Sequence, residues 1–119
     1  MVSEEFKQYF KFPLIYRENY IYVLGHDGEP VLTWLVNSND IVEDQQEIIN
    51  KMNGYSTKKY DKEWTVQDSV FIYYGDKKMF LIRGCDLLMN HKKYSFPHEQ
   101  ALKLQRNFID FIINNLNKK

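Results

Sequence analysis

The chain lacks most of what would assign a protein a task by inspection. Among its 119 residues there is one cysteine, Cys85, so no disulfide framework can form within it, and a reducing compartment is the natural expectation. Lysine plus arginine and aspartate plus glutamate number 16 each, so bulk charge exerts no pull toward nucleic acid or anionic lipid. No apolar run approaches the roughly 20 residues a bilayer span needs. The first residues, Met-Val-Ser-Glu-Glu-Phe, are acidic and lack the basic-then-apolar form of a signal peptide. The expectation is therefore a cytoplasmic protein with no membrane association. A Gly-rich phosphate loop, G-x-S-x-G and H-E-x-x-H are all missing, which argues against an enzyme and implies no cofactor.

What is present is a core-forming composition and a repeat. Hydrophobic residues make up 44% and aromatics 16%, enough for one folded domain over 1–119. Ile48-Ile49-Asn50-Lys51-Met52-Asn53 returns as Ile112-Ile113-Asn114-Asn115-Leu116-Asn117. A hairpin pattern precedes each copy: Tyr20–Leu24 then Gly25, and 70–74 then Gly75. The chain thus reads as strand–strand–helix twice, with repeats over about 14–54 and 66–117 and a polar linker over 55–65. The predicted fold is α+β: an antiparallel four-stranded sheet from two ββα repeats, with two main helices on one face. Two hairpin–helix modules joined through a homodimer are the alternative.

Local signals fill in this outline. Ser3, Glu4 and Glu5 followed by Phe6, Tyr9 and Phe10 suit a short amphipathic helix ended by Pro13. Gly25-His26-Asp27-Gly28 suits a tight turn into a second strand over 31–36. Asp40 with Glu43 forms a capping-box pattern, and Gly54 marks the end of the helix that follows. In the second copy, strands at 70–74 and 79–83 flank Gly75–Lys78, a loop covers 84–96, and Pro97 opens a helix of about five turns. The strands at 31–36 and 70–74 are apolar on both sides, which implies that the second face of the sheet is covered by the N-terminal segment or by a partner.

The zero net charge hides a split. Residues 1–54 carry four basic and nine acidic side chains, a balance of −5, and residues 55–119 carry +5. Such a split points to a partner, to self-association, or to two halves facing each other in one fold. In the basic half, Lys58, Lys59, Lys77, Lys78, Lys92 and Lys93 are interleaved with Tyr and Trp, the minimal recipe for nucleic-acid contact. Leu87, Leu88, Met89 and Tyr94 in the 84–96 insertion, with Trp64 from the linker, form the candidate protein-binding surface, because interface anchors favour these residue types. The competing reading is that the Leu-Leu-Met run plugs the core. Cys85, Asp86, His91 and His98 lack paired metal-ligand spacing, and nothing places Cys85 beside His26 and Asp27 for nucleophilic chemistry.

The second half, through Ile82-Arg83-Gly84, Phe96-Pro97-His98-Glu99-Gln100-Ala101, Gln105, Phe108 and Leu116-Asn117, resembles small uncharacterised proteins of phages and prophages. Asp27-Gly28-Glu29-Pro30-Val31 and the helix closing on Asn53 extend the likeness over most of the chain. The chain departs from it at Cys85-Asp86-Leu87-Leu88-Met89, where those proteins carry a Gly-rich stretch. The resemblance implies a mobile-element origin and transfers no catalytic residue. The functional expectation is a non-catalytic accessory protein that binds a host protein, with nucleic-acid binding through the basic half as the alternative.

Overall fold

A computed structural model describes residues 11–17, 20–24, 30–35, 45–90 and 95–118. They form one antiparallel sheet and three helices: β1 (Lys11–Arg17), β2 (Tyr20–Leu24), β3 (Pro30–Trp34), α1 (Gln45–Met52), β4 (Trp64–Gln67), β5 (Phe71–Tyr74), β6 (Lys77–Ile82), α2 (Gly84–Asn90) and α3 (His98–Leu116). The α+β class is as expected, but the sheet has six strands, not four, in the order β1-β2-β3-β6-β5-β4. Each half contributes three adjacent strands, and the halves join where β3 meets β6 through Leu32↔Ile82, Thr33↔Leu81 and Trp34↔Phe80. The two halves of the chain therefore contribute adjacent parts of a single sheet.

The repeat unit is thus βββα, and the extra strand is the outer one in both copies. In the first copy it is β1, where Pro13 lies within a register irregularity between Lys11 and Leu14. Proline is tolerated there because an edge strand need not donate every amide. In the second copy it is β4, which starts at Trp64, inside the segment expected to be linker. Its tight link to β5 uses left-handed Asp68 (φ 57°) and Ser69 (φ 62°) instead of glycine. The expected N-terminal helix, the turn at 25–28 and the Asp40–Glu43 cap lie outside the described residues.

The paired Asn residues that close the two repeats explain the sequence match. Asn53 Oδ1 accepts from the Leu14 N–H at 2.7 Å, and its Nδ2 donates to the Leu14 carbonyl at 3.1 Å. Asn117 does the same to Trp64, at 2.8 Å in both directions. Each helix thus ends in an amide that pairs with the main chain of its own edge strand, as a neighbouring strand would. An edge strand otherwise exposes these groups to another chain. Substituting Asn53 or Asn117 by Ala leaves one N–H and one C=O without a partner, at a cost of about 1–3 kcal/mol each. The expected readout is faster amide exchange at Leu14 or Trp64, with the central β3 and β6 amides still protected. Uniform loss of protection across the sheet would refute the clamp.

Register separates the two faces. Ile21, Leu32 and Ile82 are directly paired neighbours on one face, as are Trp34, Phe80 and Ile72. These join Leu14, Trp64 and the apolar sides of all three helices in one buried cluster. α3 supplies Ala101, Leu104, Phe108, Ile109, Ile112 and Leu116, the stripe expected from its periodicity. Pro97 stands just before the helix, not in its first turn.

The 84–96 segment corrects a second expectation. Its first seven residues are helix α2, not loop, and Leu87 and Leu88 are buried in the core. Trp64 is 1% exposed. Three of the five residues assigned to a contact surface are therefore core side chains, Met89 packs partly buried against them, and Tyr94 lies outside the described residues.

Candidate functional site

Two surfaces carry chemistry that the core does not absorb. The first is the face of the sheet turned away from the buried cluster. Register places Tyr20, Thr33, Leu81, Phe71 and Gln67 in one row across it, and Thr65, Tyr73 and Lys78 in the next. Tyr20 and, just past β3, Leu35 are each 41% exposed. Phe71, Tyr73 and Leu81 are half-buried. The Lys78 amine sits 4.1 Å from the centre of the Phe71 ring, a cation–π contact on the surface. Phe71 and Tyr73 are the residues that made β5 apolar on both sides in sequence, whereas Val31 of β3 is buried in the core cluster. The three described helices all contribute side chains to the buried cluster.

The second surface lies where the C-termini of α1 and α3 meet. Lys51 Nζ donates to the Lys118 carbonyl at 2.8 Å, and Asn115 Nδ2 donates to the Met52 carbonyl at 2.9 Å. Positions 51 and 115 are equivalent in the two repeats, but only Asn115 meets a terminal helix carbonyl, that of Met52 in α1, whereas Lys51 reaches a carbonyl past the end of α3. Terminal helix carbonyls have no partner within their own helix. Beside this junction is a cleft of about 400 Å³ whose walls include Lys51, Lys59, Lys118, Thr57 and Phe111, with no carboxylate side chain among the described lining residues. Lys51 is 2% exposed. Burial, then the Lys118 and Lys59 charges, hold its amine below the ordinary lysine value, and Glu47 pulls the other way. Glu47 also accepts a hydrogen bond from the Ser56 hydroxyl. A second cleft of similar volume, lined in part by Asp61, Lys62 and Glu63, carries mixed charge.

Between the two surfaces runs a chain of aromatic rings. Trp34 meets Phe80 edge-on at 4.5 Å, and Trp64 lies against Tyr74 at 4.8 Å and Phe80 at 6.5 Å. Tyr60 closes on Trp64 and Tyr74 at 5.4 and 5.6 Å, drawing the 55–63 connection onto the core. The Tyr74 hydroxyl donates to Asp61 at 2.7 Å, which holds that exposed carboxyl below its ordinary value. Lysine spacing in sequence could suggest a basic patch, but not that Lys51 and Lys118, 67 residues apart, would share a cleft with Lys59.

Among the described residues the other sequence candidates do not assemble. Among the described residues no group of three or more His, Cys, Asp and Glu side chains is placed to hold a metal. Burial, and behind it the Asp86 carboxylate, push the Cys85 thiol above its ordinary value, whereas a nucleophilic cysteine needs a lowered one. The Cys85 Sγ lies 3.7 Å from Met89 Sδ. His26, Asp27, His91, Lys92 and Lys93 lie outside the described residues. Among the described residues no helix is long and apolar enough to cross a membrane.

Fold and surfaces together define an α+β protein built from two βββα units side by side, with an aromatic sheet face on one side and a lysine-lined cleft on the other. The chain matches no family model, no curated protein and no solved structure.

Proposed function

We propose that this is a non-catalytic binding protein whose contact surface is the open face of the sheet. The observation that carries this reading is the row Tyr20–Thr33–Leu81–Phe71, which keeps aromatic and aliphatic side chains on the side away from the helices. Half-exposed Tyr, Phe and Leu flanked by Thr, Gln and Lys is the make-up of an interface centre with a polar rim. The partner is a protein. The resemblance to phage and prophage proteins gives this reading its particular form, a mobile-element protein that acts on a host protein in the cytoplasm. The surface first expected, built on Trp64, Leu87 and Leu88, is replaced by this one because those side chains fill the core.

Nucleic-acid binding is the second reading, favoured by Phe71, Tyr73 and Lys78 sharing the open face, with stacking surfaces beside a cation. One experiment separates the two. The double variant Phe71→Ser, Tyr73→Ser is expected to keep the helical circular-dichroism signal and to lose a host protein that the wild type retains after nuclease treatment. Unchanged retention by the double variant would sink the sheet-face assignment. Retention abolished by nuclease, with affinity falling steeply as salt rises, would transfer the face to nucleic acid.

A further inference from the structure

The cleft at the joined helix ends carries more positive charge than the fold requires. Cations near a helix C-terminus ordinarily balance the carbonyls there, and each terminus holds about half a negative charge. Lys51, in the last turn of α1, already serves that purpose while its amine donates to the Lys118 carbonyl past α3, and Asn115 satisfies the Met52 carbonyl without charge. Lys59 and Lys118 are additional. Among the described residues, the charges acting on Lys51 are two further ammonium groups, Lys59 and Lys118, and one carboxylate, Glu47. The lysines work against one another: Lys118 and Lys59 both make it harder for Lys51 to hold its proton. An anion in the cleft removes that repulsion.

The donors around the cleft indicate which anion. They come from separate segments: Lys51 from α1, Thr57 and Lys59 from the connection that follows, and Lys118 from beyond α3. Separate point-like donors on several segments suit an oxyanion with oxygens in three dimensions, whereas a planar carboxylate is best met by the parallel fork of an arginine, and no arginine is among the described lining residues. A volume of about 400 Å³ exceeds what a bare phosphate fills and falls in the range of small-molecule sites. Phe111 adds a half-buried ring to the wall.

We propose that this cleft binds a small phosphate monoester, with Lys59 and Lys118 on the phosphate, the Thr57 hydroxyl donating beside them, and Phe111 against the organic part. Lys51 positions the site by holding the chain just past α3 and adds its charge from beneath. The site lies on the helix side of the sheet, so it stands or falls independently of the sheet-face reading.

The test is an amide-resolved NMR titration of the full chain at low salt, with inorganic phosphate, adenosine monophosphate, uncharged adenosine and a short oligothymidylate as separate probes. Saturable shifts confined to 54–59 and 111–118 are expected with the monophosphate, weaker ones with phosphate, and none with adenosine. The double variant Lys59→Ala, Lys118→Ala is expected to weaken monophosphate binding at least about tenfold without lowering the melting temperature, since only the main chain of Lys118 serves the fold. Absence of saturable shifts at millimolar ligand overturns the proposal, as does equal binding by the double variant. Oligothymidylate binding without monophosphate binding also overturns it, by making the lysines part of a nucleic-acid surface.

Discussion

Trp64→Ala is expected to destabilise the protein by about 3–5 kcal/mol, the range for removing a large aromatic from a packed core. The indole is 1% exposed and touches Tyr60, Tyr74 and Phe80, so little can collapse into the space it leaves. The loss is cushioned slightly, because Trp64 Nε1 is buried without a hydrogen-bond acceptor. Leu88→Ser, at a fully buried position, belongs to the same class and adds a polar group with no solvent to meet it. Domains of this size are stable by only about 5–15 kcal/mol, so either change removes a large share of the total. Urea unfolding reads the effect as a lower midpoint at unchanged slope. A cost below about 1 kcal/mol for Trp64→Ala, coupled to lost partner binding, would return this residue to the interface role its sequence context suggests.

Gln105→Leu is expected to cost about 2–4 kcal/mol, because two main-chain groups lose their partners together. Gln105 is 3% exposed. Its Oε1 accepts from the Cys85 N–H at 2.7 Å, one of the first amides of α2, and its Nε2 donates to the Ser69 carbonyl at 2.8 Å. One side chain therefore ties the start of α2 to the left-handed β4–β5 turn. Leucine fills a similar volume, so the measured loss reports hydrogen bonding more than packing. Gln105→Glu keeps the acceptor, loses the donor and buries a charge. It is expected to be at least as damaging at neutral pH and to recover partly on acidification, when the protonated carboxyl can again donate to Ser69. Equal stability of the Leu variant and wild type would show that water satisfies both groups.

Much of the helical content was legible from sequence. The stripe from Ala101 to Leu116, with Pro97 before it, specifies α3 because apolar spacing at 3.6 residues leaves one face to bury. Gly54, at φ 81°, ends α1 as expected of a residue without a Cβ. The Asn at each repeat end was visible as a match but not as a clamp, since its partners Leu14 and Trp64 are 39 and 53 residues away. Three residues assigned to a contact surface went into the core for a related reason. Leu87, Leu88 and Trp64 have the composition of interface anchors, and core and interface draw on the same side chains.

The sequence by itself determined the α+β class, the internal repeat and the faces of the long helices, because these rest on local periodicity and local chain stops. The tertiary structure decided the strand count, the burial of Trp64 and the 84–90 helix, and the meeting of Lys51, Lys59 and Lys118. Edge strands such as β1 and β4 carry little local signal and are stabilised by neighbours, here β2 and Asn53 on one side and β5 and Asn117 on the other. A charged cleft between two helix ends depends on how those helices pack, which spacing along the chain does not encode.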